Sequence, residues 1–253
     1  MKQQGIATVN NIKYLIKNKN DIIQNTLLKG NQWNNDIVLL IGYSIKKFNL
    51  KHFVNIGSHI GTVVLPISRY IKKVTAIEPF PPTYEHFLEH IKLNDIKNID
   101  SFNIAVGDRE SEVYFLDSNH ERTKNNSGRI HAVTEEDIKK NCLSSILHNK
   151  KYRNTMKRLD DLPIEKFDII LIDVEGREYE TIKGAIKKIS KNKPIIIIEI
   201  WENPKRKLEN MSTTKEEVLT YINNLDYKLV KQLNDNYIFF ILDKLFYFKK
   251  NIF

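Results

Sequence analysis

The chain has 253 residues, with 40 Lys and Arg against 31 Asp and Glu and a formal net charge of +9. Its single cysteine, Cys142, excludes an intrachain disulfide and a cysteine-based zinc cluster. No apolar run approaches the ~18 residues of a membrane-spanning helix, and MKQQGIATVNN at the start has no apolar signal core, so a reducing, cytoplasmic setting is expected.

Residues 11–30 and 34–48 are predicted as two helices ahead of the first strand. In the second, Ile37, Leu40, Ile41, Ser44 and Phe48 follow helical spacing, with Asn35 or Asp36 as its cap. Trp33, just before it, reads as a packing anchor. FVNIGSHIG at 53–61 reads as a buried strand entering a glycine turn that opens a helix. TAIEP at 75–79 reads as the next strand, ending in a carboxylate. Glu78 lies 21 positions after Gly57, close to the spacing at which a nucleoside-cofactor fold sets an acid on the ribose hydroxyls. Gly57 and Gly61 would let backbone approach a ligand where a side chain would clash.

YEHFLEHIKLN at 84–94 has a helical pattern, SFNIAV at 101–106 reads as a third strand, and EVYFL at 112–116 alternates as a short one. Residues 118–133 are polar and turn-rich and read as a loop. Residues 134–150 read as a helix with Thr134 and Asp137 as its cap and an apolar stripe at Ile138, Cys142 and Ile146. FDIILIDV at 167–174 and PIIIIEI at 194–200 are near-continuous apolar runs, as strands buried on both faces of a parallel sheet require. YETIKGAIKKIS at 179–190 is predicted as the helix between them. DYKLVKQL at 226–233 and NYIFFIL at 236–242 flank a very short Asn/Asp turn, so they form an antiparallel hairpin. The alternation of strands and helices predicts an α/β layered domain. The closing hairpin argues against an ordinary NAD domain.

Six segments in order carry a family resemblance: NIGSHIG at 55–61, AIEP at 76–79, AVGD at 105–108, LDDL at 159–162, IDVEG at 172–176 and IIIIE at 195–199. In these the chain resembles the FkbM family of class I S-adenosylmethionine-dependent methyltransferases, over about residues 51 to 200. The chain departs from the pattern at the first loop. Asn55 stands for the usual Asp, and Ser58-His59 for Ala-Asn. The resemblance implies a Rossmann-like class I fold: a mostly parallel seven-stranded sheet with a C-terminal antiparallel hairpin and helices on both faces. Residues 1–48 would form a helical extension and 49–253 the methyltransferase domain, with a helical insertion at about 134–150.

The resemblance also places a site. S-adenosylmethionine has no phosphate, so a glycine loop without a nearby Lys or Arg suits it better than a dinucleotide, whose pyrophosphate would use the helix N-terminus. Asn55, Gly57, Ser58, His59 and Gly61 would hold the cofactor at the first strand's end. Glu78 would accept the ribose hydroxyls. Pro79 and Phe80 would pack on sugar or adenine, and Asn103 and Ala105 would border the adenine.

Asp173 and Glu175 follow a strand end, where paired carboxylates are costly to bury without partners. Those partners are the cofactor's ammonium, the substrate hydroxyl or a metal ion; no metal ligand set is assigned. Helix-dipole complementarity is the structural alternative for Glu175. Glu199 points at the same rim, and His131 and His59 are candidate bases. The catalytic set is Asp173, Glu175, His131 and Glu199, with Asp173 also on the cofactor.

O-methylation of a sugar or glycan hydroxyl is the expected activity, and residues 118–150 are the expected substrate wall and lid. Two other readings stay open. The positive charge admits an RNA methyltransferase, although the lysines are scattered over helix faces with no aromatic-interleaved basic stripe. The altered first loop admits a non-catalytic binding module. The expected partner is a small molecule or glycan, with no membrane and no nucleic acid; a homodimer is admitted.

Overall fold

The computed structural model describes residues 5–115, 125–140, 152–209 and 211–241. The chain opens with an antiparallel hairpin, β1 (Gly5–Val9) and β2 (Ile12–Ile16), followed by α1 (Ile22–Leu28) and α2 (Asn35–Phe48). This corrects the helix expected over 11–30. Asn10 and Asn11 both have positive φ, 50° and 63°, the backbone that a two-residue hairpin turn requires. Burial then alternates: Ala7, Val9, Ile12, Tyr14 and Ile16 point inward while Thr8, Lys13 and Ile6 do not. Helix α2 matches its expected span and buries Ile37, Ile41 and Ser44. Neither Asn35 nor Asp36 caps it; it starts from Asn34 in a left-handed conformation with no side-chain cap.

The central sheet begins with β3 (His52–Ile56), then α3 (Val64–Ser68), β4 (Lys73–Ile77), α4 (Pro81–Leu93) and β5 (Ile99–Phe102). The strand expected over 101–106 is two strands in two sheets. After β5 the chain leaves the sheet, and β6 (Ala105–Val106) pairs with a later strand. β7 (Ser111–Phe115), β8 (Ala132–Thr134), α5 (Glu135–Lys140) and β9 (Arg153–Lys157) follow, giving a small sheet of order β6-β9-β7-β8. Thr134 and Asp137 cap α5 reciprocally: each backbone N–H donates to the other's side chain, at 2.8 and 3.2 Å. Ile138 is buried. The rest of the helix expected to 150, with Cys142 and Ile146, lies outside the described residues.

The chain returns to the main sheet with β10 (Ile169–Ile172), α6 (Glu178–Lys183), α7 (Ile186–Asn192), β11 (Ile195–Glu199), α8 (Asn203–Leu208), α9 (Lys215–Asn223), β12 (Tyr227–Leu233) and β13 (Asn236–Ile241). The seven strands run in the order β12-β13-β11-β10-β3-β4-β5. β3, β4, β5, β10 and β11 are mutually parallel, and β13 is antiparallel to both its neighbours. This is the Rossmann-like sheet closed by a hairpin. Its strand order reverses beside β3, where β10 lies on one side and β4 on the other, and ligands of such sheets sit beyond the carboxyl ends at that point.

Successive sheet residues serve opposite cores. Phe53, Ile169, Leu171 and Ile197 pack against β1, β2, α1 and α2. Val54, Ile170, Ile172 and Ile198 pack against Ile182, Ile189 and Val218 on the other face. Both faces are covered, which is why these strands read as continuous apolar runs. Among the described residues, no helix is long and apolar enough to cross a membrane.

The helix expected over 179–190 is broken at Gly184 into α6 and α7, and packing leaves no room for a side chain at that residue. A Cβ on Gly184 would lie 1.8 Å from the carbonyl oxygen of Gly107. The Asp160 carboxylate then accepts the N–H groups of Lys187 and Lys188 at the start of α7, so the LDDL segment acts as a helix anchor. Gly184→Ala should therefore cost about 1–3 kcal/mol by overpacking, read as a melting point lowered by roughly 2–4 °C for each kcal/mol. A wild-type melt in that variant would contradict the packing constraint.

Candidate active site

Two backbone crossings build the cofactor end of the site. Gly57, at the tip of β3, has φ +86°, and a Cβ there would stand 1.7 Å from the carbonyl oxygen of Asp173 beyond β10. The glycine is thus required by the protein's own neighbouring loop rather than by a ligand. The N–H groups of Gly57 and Ser58 both donate to the Ile77 carbonyl, at 2.8 and 3.0 Å, tying the loop to the end of β4. Gly61, φ +89°, stands behind the cavity: its missing Cβ would lie 2.6 Å from the Phe87 ring.

Glu78, 6% exposed, ends β4. Its carboxylate accepts the His59 N–H at 2.8 Å and the Phe80 N–H at 3.0 Å. Burial pushes its carboxyl up to about 7, against those two donors, which pull it down. The Asn103 amide donates to the carbonyls of Glu78 and Pro79, at 2.8 and 3.3 Å, so Asn103 supports the acid's backbone from behind. Asn55, 1% exposed, crosses to the Leu171 carbonyl of β10 at 3.5 Å.

His59 has φ +49°. Burial holds its imidazole down at about 4, so it is neutral near pH 7. Its Nε2 lies 2.9 Å from the Ser127 hydroxyl.

These loops enclose a cavity of about 270 Å³. Of the residues assigned to the site from sequence, Gly61 and Asn103 do not line it; every other one does, Ala105 and Phe80 among them. The Ser58 hydroxyl is buried there and has no hydrogen-bond partner among the described residues.

Opposite lies an acidic rim. Asp173, Glu175 and Glu199 each bring one carboxylate oxygen to within 4.8 Å of the others. Glu175 sits in a left-handed conformation, φ +52°, followed by Gly176 at φ +103°. The turn is held by a buried ion pair. Glu178 accepts the Gly176 N–H at 2.7 Å, and its other oxygen receives Arg206 Nη1 at 2.6 Å. Arg206 also donates to the Gly176 carbonyl at 3.4 Å and to the Thr213 carbonyl and hydroxyl, both at 2.7 Å.

Burial raises the Asp173 carboxyl well above its usual range, and the Glu199 and Glu175 charges raise it further. Burial and Glu199 lift Glu175 to about 8, with Lys205 opposing. Such a group can take a proton near neutral pH; three oxygens so close could equally hold a hard cation. His131 lines the cavity, its Nδ1 3.4 Å from the Arg129 carbonyl.

The cavity also recruits residues that the sequence reading missed. Trp33, expected only to pack, does pack on the core, and it lines the cavity with Ile23 and Asn34. Arg129, Arg177 and Lys205 line it too. Arg177 alone carried a signal, directly following IDVEG. The loop expected as a substrate wall is not confined to that side, because Ser127 meets His59.

The family described as Methyltransferase FkbM domain matches residues 55–229. No curated protein matches the chain. Among solved structures, methyltransferase FkbM from Methylobacillus flagellatus KT is 17% identical, over 75% of this chain and 43% of that one, with a TM-score of 0.48. The chain thus spans less than half the length of that protein. TYW2 of P. horikoshii in complex with MeSAdo is 18% identical over 94% of this chain and 70% of that one, with a TM-score of 0.50, a likeness of fold. The O-methyltransferase from Bacillus cereus in complex with SAH is 11% identical over 82% of this chain and 80% of that one, with a TM-score of 0.49.

The buried acids set a pH dependence. Glu78 and Glu175 are raised from 4.5 to about 7 and about 8 in the folded protein. Between those values the folded state binds more protons than the unfolded. Their contribution to stability is therefore full below about 4.5 and is lost as pH rises through 7 and 8. Thermal melts of the ligand-free protein should fall between about pH 6.5 and 8.5. Glu175→Gln should flatten the fall and melt above wild type at the alkaline end. Parallel, level curves for the two proteins would contradict these assignments.

Proposed function

We propose that this chain, which belongs to the FkbM methyltransferase family, uses S-adenosylmethionine to methylate a hydroxyl group of a sugar or glycan. The observation that carries the cofactor is the buried Glu78 carboxylate at the end of β4, facing a glycine turn with no cation in it. The donor set suits the group: a carboxylate for ribose hydroxyls, the Ser58 hydroxyl without a partner among the described residues, the apolar Pro79 and Phe80, and an acidic rim for a ligand that carries an ammonium. Glu78, Ser58, His59, Phe80, Ala105 and Asp173 would hold it. When bound, S-adenosylmethionine supplies a methyl group already activated on a positively charged sulfur.

The chain's own residues then bind, orient and exclude water. The buried Arg206–Glu178 pair fixes the turn that presents Glu175. Glu175 holds its own proton up to about pH 8; in its ionised form it takes the acceptor hydroxyl's proton as the methyl transfers, a contribution of ~10²–10⁴ in rate. Asp173, its carboxyl raised by burial and by the neighbouring acids, stands with Glu199 on the acidic rim next to the cationic cofactor. Trp33 and residues 126–132 wall the cavity against water. A carbohydrate acceptor is supported by the polar rim, where Asn34, Arg129, His131 and Arg177 offer donors and acceptors to several hydroxyls.

Calorimetry with S-adenosylhomocysteine should give heat with the wild type, and Glu78→Ala should weaken binding about tenfold or more, as for a lost charge-assisted hydrogen bond. Unchanged affinity would remove Glu78 from the site. Turnover is tested against nucleotide-sugars and free glycans, with release of the demethylated cofactor as the readout. Glu175→Gln should keep cofactor binding and a cooperative melt but lose about 10²-fold or more of the rate. Full activity in that variant would leave Glu175 to the helix dipole. Activity lost to a chelator and restored by Mg²⁺ would instead make the three acids metal ligands.

A further inference from the structure

One wall of the cavity comes from residues ahead of the family match, which begins at residue 55. Asp21 is the residue that joins this wall to the site. It is 1% exposed. One carboxylate oxygen does the ordinary work of a helix cap, accepting the N–H groups of Ile23 and Gln24 at 3.1 and 2.9 Å. The other oxygen reaches across 106 positions of sequence to the Ser127 N–H at 2.7 Å.

The seam continues on both sides of that bond. The Ile22 N–H donates to the Asn125 carbonyl at 2.8 Å. Ile23 packs so tightly on Gly128 that a Cβ there would lie 3.0 Å from its methyl carbon. The Ser127 hydroxyl then meets His59 Nε2 at 2.9 Å, and the His59 N–H is held by Glu78. A continuous chain of bonds thus runs from the N-terminal segment through residues 125–131 to the cofactor loop.

A cap needs one acceptor oxygen, and serine or asparagine supplies it as well as aspartate. Here three N–H groups converge on two oxygens. Asparagine would present an NH₂ group either to the Ser127 N–H or to the α1 N–H groups, donor against donor. The second acceptor is the part of Asp21 that the cap does not explain.

We propose that Asp21 is a positioning residue, whose second oxygen seats residues 125–131 against His59 and so completes the cofactor side of the cavity. The proposal rests on the reading of that cavity as the cofactor site. It makes the N-terminal segment part of the binding machinery, with Arg129 and His131 carried on the loop that Asp21 holds.

Two variants separate the roles. Asp21→Ser keeps a capping oxygen but is too short to reach Ser127; Asp21→Asn keeps the shape and loses one acceptor. Each is compared with wild type by amide hydrogen exchange and by calorimetry with S-adenosylhomocysteine. Exchange at 125–131 should quicken about tenfold or more while β3 and β10 stay as in wild type, and the dissociation constant should rise about fivefold or more. Unchanged exchange at 125–131 would overturn the proposal. So would a uniform quickening of every amide, the mark of a merely structural cap, or a loosened loop with unaltered affinity. If the wild type gives no heat, the cofactor reading fails instead, and the exchange pattern alone decides whether Asp21 seats the loop.

Discussion

The tips of β3 and β10 run so close together that Gly57 has room for nothing but hydrogen on the side facing the Asp173 carbonyl. That contact brings two loops with different tasks to one place. The β3 loop, tied to the end of β4, presents backbone and Glu78 to one end of the cavity. The β10 loop presents Asp173 and Glu175 to the other. Parallel strands side by side put both loops at the same edge of the sheet, and the reversal of strand order beside β3 leaves the space between them open. A side chain at residue 57 would push the two loops apart and move the acids with them.

Charge is placed under the same constraint. Three carboxylates within 4.8 Å of one another repel, and burial makes the repulsion costlier. The cost is met by proton retention, seen in the raised Asp173 and Glu175 carboxyls, and by rigid support from behind. Arg206 and Glu178, with side chains 2% and 0% exposed, grip both polar groups of Gly176. An ion pair so buried adds little net stability over apolar packing. Its evident effect is geometric, since it holds Glu175 in a left-handed conformation that no side chain favours by itself.

The sheet was legible because strands covered on both faces must be apolar throughout, as in IILI and IIIIE. The acids were legible because they follow those strands directly. What escaped detection depends on contacts distant in sequence or on brief local patterns. The hairpin at 5–16 alternates over only five residues a side, and Asn10-Asn11 lacks the glycine that marks such a turn. The break at Gly184 leaves the helical stripe intact, and the backbone that excludes a side chain there, at Gly107, is distant in sequence. Gly61 and Asn103, expected to touch the cofactor, do not line the cavity; they lie behind residues that do. The Arg206–Glu178 and Asp21–Ser127 bonds join residues 28 and 106 positions apart, and nothing in the local sequence announces either.

The most direct test is a crystal structure of this chain with S-adenosylhomocysteine. The ligand should lie beyond the carboxyl ends of β3 and β4, with the Glu78 carboxylate within hydrogen-bond distance of the ribose hydroxyls and the Asp173 loop beside it. A ligand bound elsewhere on the chain, or a cleft left empty at saturating ligand, would contradict the account.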